Sequence, residues 1–328
     1  MSWTDGKSQL PEVDAPPPSL GFMRFVRFPL VLLVIGTGLW LLAQIGATIF
    51  FNMLSGGRAS ELPSYTGHWA DLPYGIAVAV LTFAAYWLVK KIEGEPPVDF
   101  AGWKWSRELT GGLIIGAGLM ALITGFVAVM GDYRITGWGN AGILGFFSML
   151  GLAIGSGVGE EILFRGFMFR YTEKMLGSWF ALAFSAAIFG LLHIGNANAT
   201  WFSSAAIAIE AGIMLGAIYM LTRRLWAAIG LHAAWNFTQG YIFGIPVSGL
   251  TTQSLVKSEM SGSEWMTGGA FGLEATVPGL VVATAAGIAL LRLAVQRGQL
   301  KHPMWVKKDQ IEKDRQEPLP PPPVNPLI

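Results

Sequence analysis

The chain has 328 residues, 52% hydrophobic and 13% charged, with mean hydropathy +0.49 and net charge +1. A soluble domain carries about 25% charged residues, so an ordinary soluble fold is excluded, and no basic patch offers a surface to nucleic acid. With no cysteine, disulfides, thiolate catalysis and Cys-based zinc sites are excluded, and the redox compartment cannot be read.

In chain order, residues 1–20 are polar, carry Pro16–Pro18 and lack a signal peptide's cleavage pattern. They read as a short disordered tail before a first helix that stays attached. Apolar windows then predict spans at roughly 28–53, 73–89, 109–130, 141–164, 178–196, 202–221, 225–243 and 275–295. With the N-terminus inside, 19 of the 22 Lys and Arg fall on the cytoplasmic side, and only Arg58, Arg134 and Lys257 fall outside. One missed span would invert every later loop, so this split supports the count. The expected fold is an all-α polytopic membrane bundle of about eight transmembrane helices with both termini cytoplasmic. It covers residues 21–298, and a Pro-rich cytoplasmic tail follows at 299–328. The loop at 245–272 is long for a connection, a length that marks either function or mobility. Glycines recur at four-residue spacing at Gly112/Gly116, Gly151/Gly155/Gly159 and Gly212/Gly216, which lets helix backbones approach closely in lipid.

Polar residues inside these spans are costly and usually face the bundle interior. They are Glu160, Glu161 and Arg165 in the fourth span, His193 in the fifth, Glu210 in the sixth, and His232 and Asn236 in the seventh. Glu161 and Arg165 are four apart, share a face and predict a salt bridge. Glu160 points about 100° away and lacks that partner. Phe189 and His193 are four apart, as are His232 and Asn236. Counted from the cytoplasmic charges, Glu160, His193, His232 and Asn236 all reach the inner-to-middle bilayer on three helices. His68 and His302 lie in loops, so both membrane histidines join the cluster.

Glu, two His and Asn suit hydrolysis. A glutamate can deprotonate water, imidazoles can bind a metal, orient water or protonate a leaving amine, and Asn can stabilise an oxyanion. There is no H-E-x-x-H, no G-x-S-x-G elbow and no paired-aspartate signature. Each polar residue alone also has a plain reading as interhelical packing or pairing; their joint occurrence carries the argument.

"EEILFRG" at 160–166, "FGLLH" at 189–193 and "HAAWN" at 232–236 resemble the E-E-x-x-x-R, F-x-x-x-H and H-x-x-x-N motifs of the CPBP family. These are the CAAX-protease and bacteriocin-processing (Abi) intramembrane proteases. The resemblance spans about 141–240, in family order. It implies an intramembrane endopeptidase acting on a membrane-associated peptide or protein. By position, Glu160 would activate water and His193 would position it. His232 and Asn236 would stabilise the oxyanion or bind metal, and Glu161 and Arg165 would support the geometry. The cofactor is open: a metal-free, glutamate-dependent site is taken first, with Zn²⁺ on Glu160, His193 and His232 as the alternative. Two other functions stay open, a non-catalytic membrane peptide-binding or immunity protein, and a proton-coupled transporter using Glu210. Short loops and the absence of cysteine suit a bacterial inner membrane.

Overall fold

The computed structural model describes residues 21–54, 65 and 67–306. The expected N-terminal tail, Arg58 and residues 307–328 of the Pro-rich tail lie outside the described residues. A short helix α1 (Gly21–Val26) precedes α2 (Pro29–Leu54), α3 (Asp71–Glu93) and α4 (Trp105–Val129). After strand β1 (Tyr133–Trp138) come α5 (Gly142–Glu161), α6 (Arg170–Leu192), α7 (Trp201–Ile207), α8 (Ile213–Thr222) and α9 (Trp226–Phe237). Strand β2 (Val256–Met260), the single turn α10 (Glu264–Thr267) and α11 (Val277–Gln296) complete the fold.

Every predicted span falls on helix. Six helical stretches among the described residues are long and apolar enough to cross a membrane. Two differences from the sequence reading have local causes. The fourth and fifth spans form one continuous stretch, Gly142–Gly195, which turns at Gly177, where φ is 80° and ψ 170°. The segment after Arg224 is helical only from 226 to 242, too short to count by length. Many large apolar side chains point outward, such as Leu42, Ile45 and Ile49 on α2 and Ile114 and Leu122 on α4. In water that pattern would be a liability; in lipid it is the solvated face.

The helices pack as α3 on α5, α4 on α9, α5 on α9, and α8 on α11. Glycine sets the closest approaches. A Cβ on Gly116 would sit 2.2 Å from the Leu231 carbonyl oxygen, and one on Gly75 2.0 Å from that of Gly151. Backbone meets backbone at both crossings, as small residues allow in membranes.

The two ends of the bundle are chemically distinct. At one end Asp99 accepts from Tyr86 Oη (2.5 Å), Tyr219 Oη (2.9 Å) and Arg170 Nη1 (2.7 Å), tying α3, α6 and α8 together. Glu173 beside it pairs with Arg223 and Lys301. The other end carries a feature absent from the sequence reading, an antiparallel β1–β2 pair in which Arg134 meets Glu259 at 2.6 Å. Lys257 lies on β2, so the two described basic residues assigned to the outer side share one two-stranded sheet.

Glu95, just beyond α3, accepts from Lys174 at 2.8 Å, Arg170 at 3.0 Å and Lys90 at 3.2 Å. Burial pushes its carboxyl up, but the hydrogen bonds and charges of Lys174 and Lys90 outweigh this and bring it down to about 2. A depressed carboxylate contributes stability that is present above its ordinary value of 4.5 and lost as pH falls toward about 2. Glu95→Gln is therefore expected to flatten the acid limb of a melting-temperature profile in that window. The effect is below about 1 kcal/mol, because the group is largely exposed.

Candidate active site

The site begins where α5 changes pitch. Glu160 and Glu161 are its last residues, and Ile162–Phe169 continue as a π-helical stretch. Such wide turns recur at functional sites because they re-aim successive side chains. Two more follow at Ala208–Gly212 and Thr238–Ile242, beside Glu210 and just after Asn236.

Glu161 and Arg165 are fully buried and pair at 2.9 Å, as their spacing predicts. Arg165 also donates to the Gly212 carbonyl at 3.2 Å and lies over the Phe189 ring at 5.0 Å. Glu161 does more than balance this charge: its Oε1 also accepts from His232 Nδ1 at 2.9 Å. A carboxylate can only accept, so Nδ1 carries the proton and Nε2 presents a lone pair. That Nε2 faces Glu160 Oε2 at 3.9 Å.

Glu160 differs sharply from its neighbour. Its side chain is 30% exposed, and its Oε2 is buried without a hydrogen-bond partner among the described residues. Two cavities meet on it. One of about 280 Å³ is lined by Gln44, Tyr65, Tyr74, Ser156 and Glu160, among others. The other, about 160 Å³, holds Glu160 and His193 with Leu163, Phe164, Leu192 and Asn196. Trp40 lines both, and its Nε1 donates to the Gly159 carbonyl at 2.9 Å, so α2 leans on the end of α5.

His193 lies at the end of α6, in the turn His193–Gly195. Its Nδ1 contacts the Phe189 carbonyl at 2.7 Å; because a carbonyl accepts, Nε2 is again the free nitrogen. The Phe189 ring packs on both imidazoles, with centroids 4.7 Å from His193 and 6.1 Å from His232. Asn236 Nδ2 donates to Ser156 Oγ at 3.0 Å, leaving one N–H for another acceptor. His193, His232 and Asn236 also line a third cavity of about 30 Å³, the scale of one water. Ser248, from the long loop, and Glu274, in the turn Leu273–Ala275 that leads into α11, complete its wall. Burial pushes the Glu274 carboxyl above its ordinary value, against hydrogen bonds from Gln239 and Ser248 that pull it down.

The structure thus gathers Glu160, His193, His232 and Asn236 on cavities that share lining residues, with the Glu161–Arg165 pair bonded to His232. Glu210 is fully buried with neither oxygen hydrogen-bonded among the described residues, and it lines none of these three. A separate cavity of about 610 Å³ lies between residues 198–203 and 264–275 and holds none of the candidate residues. Among the described residues no group of three His, Cys, Asp or Glu side chains could hold a metal ion. Glu160, His193 and His232 form no such group as arranged here.

Sequence reasoning missed Trp40, Ser156, Ser248 and Glu274. Ser156 had a signal, standing four residues before Glu160 on the same helix; the others are placed by tertiary packing alone.

With this geometry established, comparison with known proteins is informative. Residues 142–238 match the family model described as type II CAAX prenyl endopeptidase Rce1-like. Over those residues the chain is similar to that family. The match begins at the first residue of α5 and ends one residue past α9, so it encloses all six clustered side chains. It is consistent with the CPBP and CAAX-protease family. No curated protein and no solved structure matches the chain. This match and the six long apolar helical stretches among the described residues support an integral membrane protein.

Proposed function

We propose that the chain is an intramembrane endopeptidase that hydrolyses a peptide bond of a membrane-associated, CAAX-type prenylated substrate with a water activated by Glu160. The observation that carries this reading is the contrast within one pair. Glu161 is fully buried and holds Arg165 and His232 on its Oε1, whereas Glu160 is 30% exposed to the cavities, makes no hydrogen bond among the described residues and turns its Oε2 toward His232 across 3.9 Å. A polar gap of that width suits a bridging water.

Water between Glu160 and the histidines would donate its protons to Glu160 and to the lone pair on His232 or His193 Nε2. Glu160 takes one proton as oxygen attacks the scissile carbonyl, and returns it to the leaving amine. Asn236 Nδ2, held by Ser156, supplies a donor to the developing oxyanion. Glu161 fixes the tautomer of His232, as an orienting carboxylate does in other hydrolytic sites. All of this chemistry lies in a water-poor interior, where such interactions are strong. We place the protein in the bacterial inner membrane, on its short loops and lack of cysteine.

The test uses purified full-length protein in liposomes with a quenched farnesylated peptide ending in C-a-a-X. The wild type should cleave it, while His193→Ala and His232→Ala should each lose roughly 10²- to 10⁴-fold. Cleavage should persist in 1,10-phenanthroline. Activity abolished by the chelator and restored by Zn²⁺ alone would contradict the metal-free mechanism. Full cleavage by both histidine variants would sink the site assignment.

A further inference from the structure

The helices that carry His193 and Asn236 are held together at their ends by the outer loop, and one carboxylate forms the knot. Asn196, three residues after His193, donates Nδ2 to the Ser248 carbonyl at 3.0 Å. Gln239, three residues after Asn236, donates Nε2 to the Pro246 carbonyl at 2.5 Å and to Glu274 Oε2. Glu274 Oε1 closes the circuit, accepting from Ser248 N at 2.9 Å and Ser248 Oγ at 3.0 Å. Ser248 has φ 46°, a left-handed backbone that serine seldom adopts. Strained residues of this kind persist where the surroundings over-determine them, and they cluster at working sites. Glu274 is 4% exposed, and among the described residues its partners are an amide, a hydroxyl and a backbone N–H, with no cation. A buried carboxylate so held is a poor device for stability alone.

We propose that Glu274 is a positioning residue: through Ser248 it clamps the His193 turn to the Asn236 helix and holds the two side chains at their separation across the shared cavity. This rests on the peptidase reading above and gives the 245–272 loop a role within it. Glu274 touches no reacting atom. Its loss acts by letting His193 and Asn236 drift, and a misplacement of about 1 Å can cost 10²-fold in rate.

Two arms test the clamp, each with Glu274→Ala, Asn196→Ala and the double variant in full-length protein. The first is cleavage of the quenched farnesylated C-a-a-X peptide. Each single variant should lower kcat by about 10- to 100-fold with KM within about twofold. The double variant should be no worse than the poorer single, because both break one circuit. Asn196 is exposed at this contact, so its variant guards against misfolding of Glu274→Ala. The second arm needs no activity. The chain has four histidines, so ¹³C-histidine labelling resolves His193, and both single variants should move its signal alike. Multiplying losses in the double variant, or unchanged kcat with an unmoved His193 signal, would overturn the clamp. Continued cleavage by Glu160→Gln would instead overturn the peptidase mechanism, and the His193 signal would still decide the clamp.

Discussion

Glu160→Gln is expected to reduce cleavage by roughly 10²- to 10⁴-fold, the range typical of a lost general base, with no loss of folded protein. Both halves follow from the same geometry. The Glu160 carboxylate makes no hydrogen bond among the described residues, and its Oε2 lies 3.9 Å from His232 Nε2. No hydrogen bond among the described residues is lost with its charge, so the melting temperature should move little, by the equivalent of about 0.5 kcal/mol. Gln keeps the size and the acceptor but cannot take a proton at neutral pH. The checks are a cleavage time course and a thermal melt on the same preparation. A variant that melts early would make Glu160 a structural residue; one that cleaves normally would remove it from the chemistry.

Glu161→Ala should do the opposite first. It strands Arg165, fully buried on α5's π-helical extension, without its counter-charge. Breaking a buried pair from one side costs about 3–5 kcal/mol, a fall in melting temperature on the order of 10 °C. Activity should fall as well, because His232 Nδ1 loses the acceptor that fixes its tautomer. The double variant Glu161→Leu/Arg165→Met separates these effects. Apolar replacement of both members of a buried pair is often neutral, so most of the stability should return. Cleavage should not, since Leu cannot orient an imidazole. Recovery of both would mean that Glu161 serves only to balance Arg165. Recovery of neither would mean that the Arg165 contact to the Gly212 carbonyl matters more than the pair.

Spacing made part of this site legible. Residues four apart on a helix meet, and Glu161–Arg165 and Phe189–His193 do so as their positions require. Counting charges across the apolar windows put Arg134 and Lys257 on one side, and the long-range β1–β2 pairing joins them. The Glu161–His232 bond could not be read in that way. Its partners are 71 residues apart, and it exists because α5 and α9 cross closely at Gly157, where a Cβ would lie 3.1 Å from that of Ala233. The π-helical stretches were equally hidden, because a 3.6-residue period assumes regular pitch. Ser248 and Glu274 sit in an irregular loop, where no period exists to place them.

The most direct measurement of the central claim compares new protein N-termini in membranes of cells carrying the wild type, Glu160→Gln or no copy, at matched expression. The account predicts a set of termini present only with the wild type, which would also identify the substrates. Identical termini in wild type and Glu160→Gln cells, with the cells' phenotype rescued by both, would contradict it and leave a membrane protein that binds peptides without cutting them.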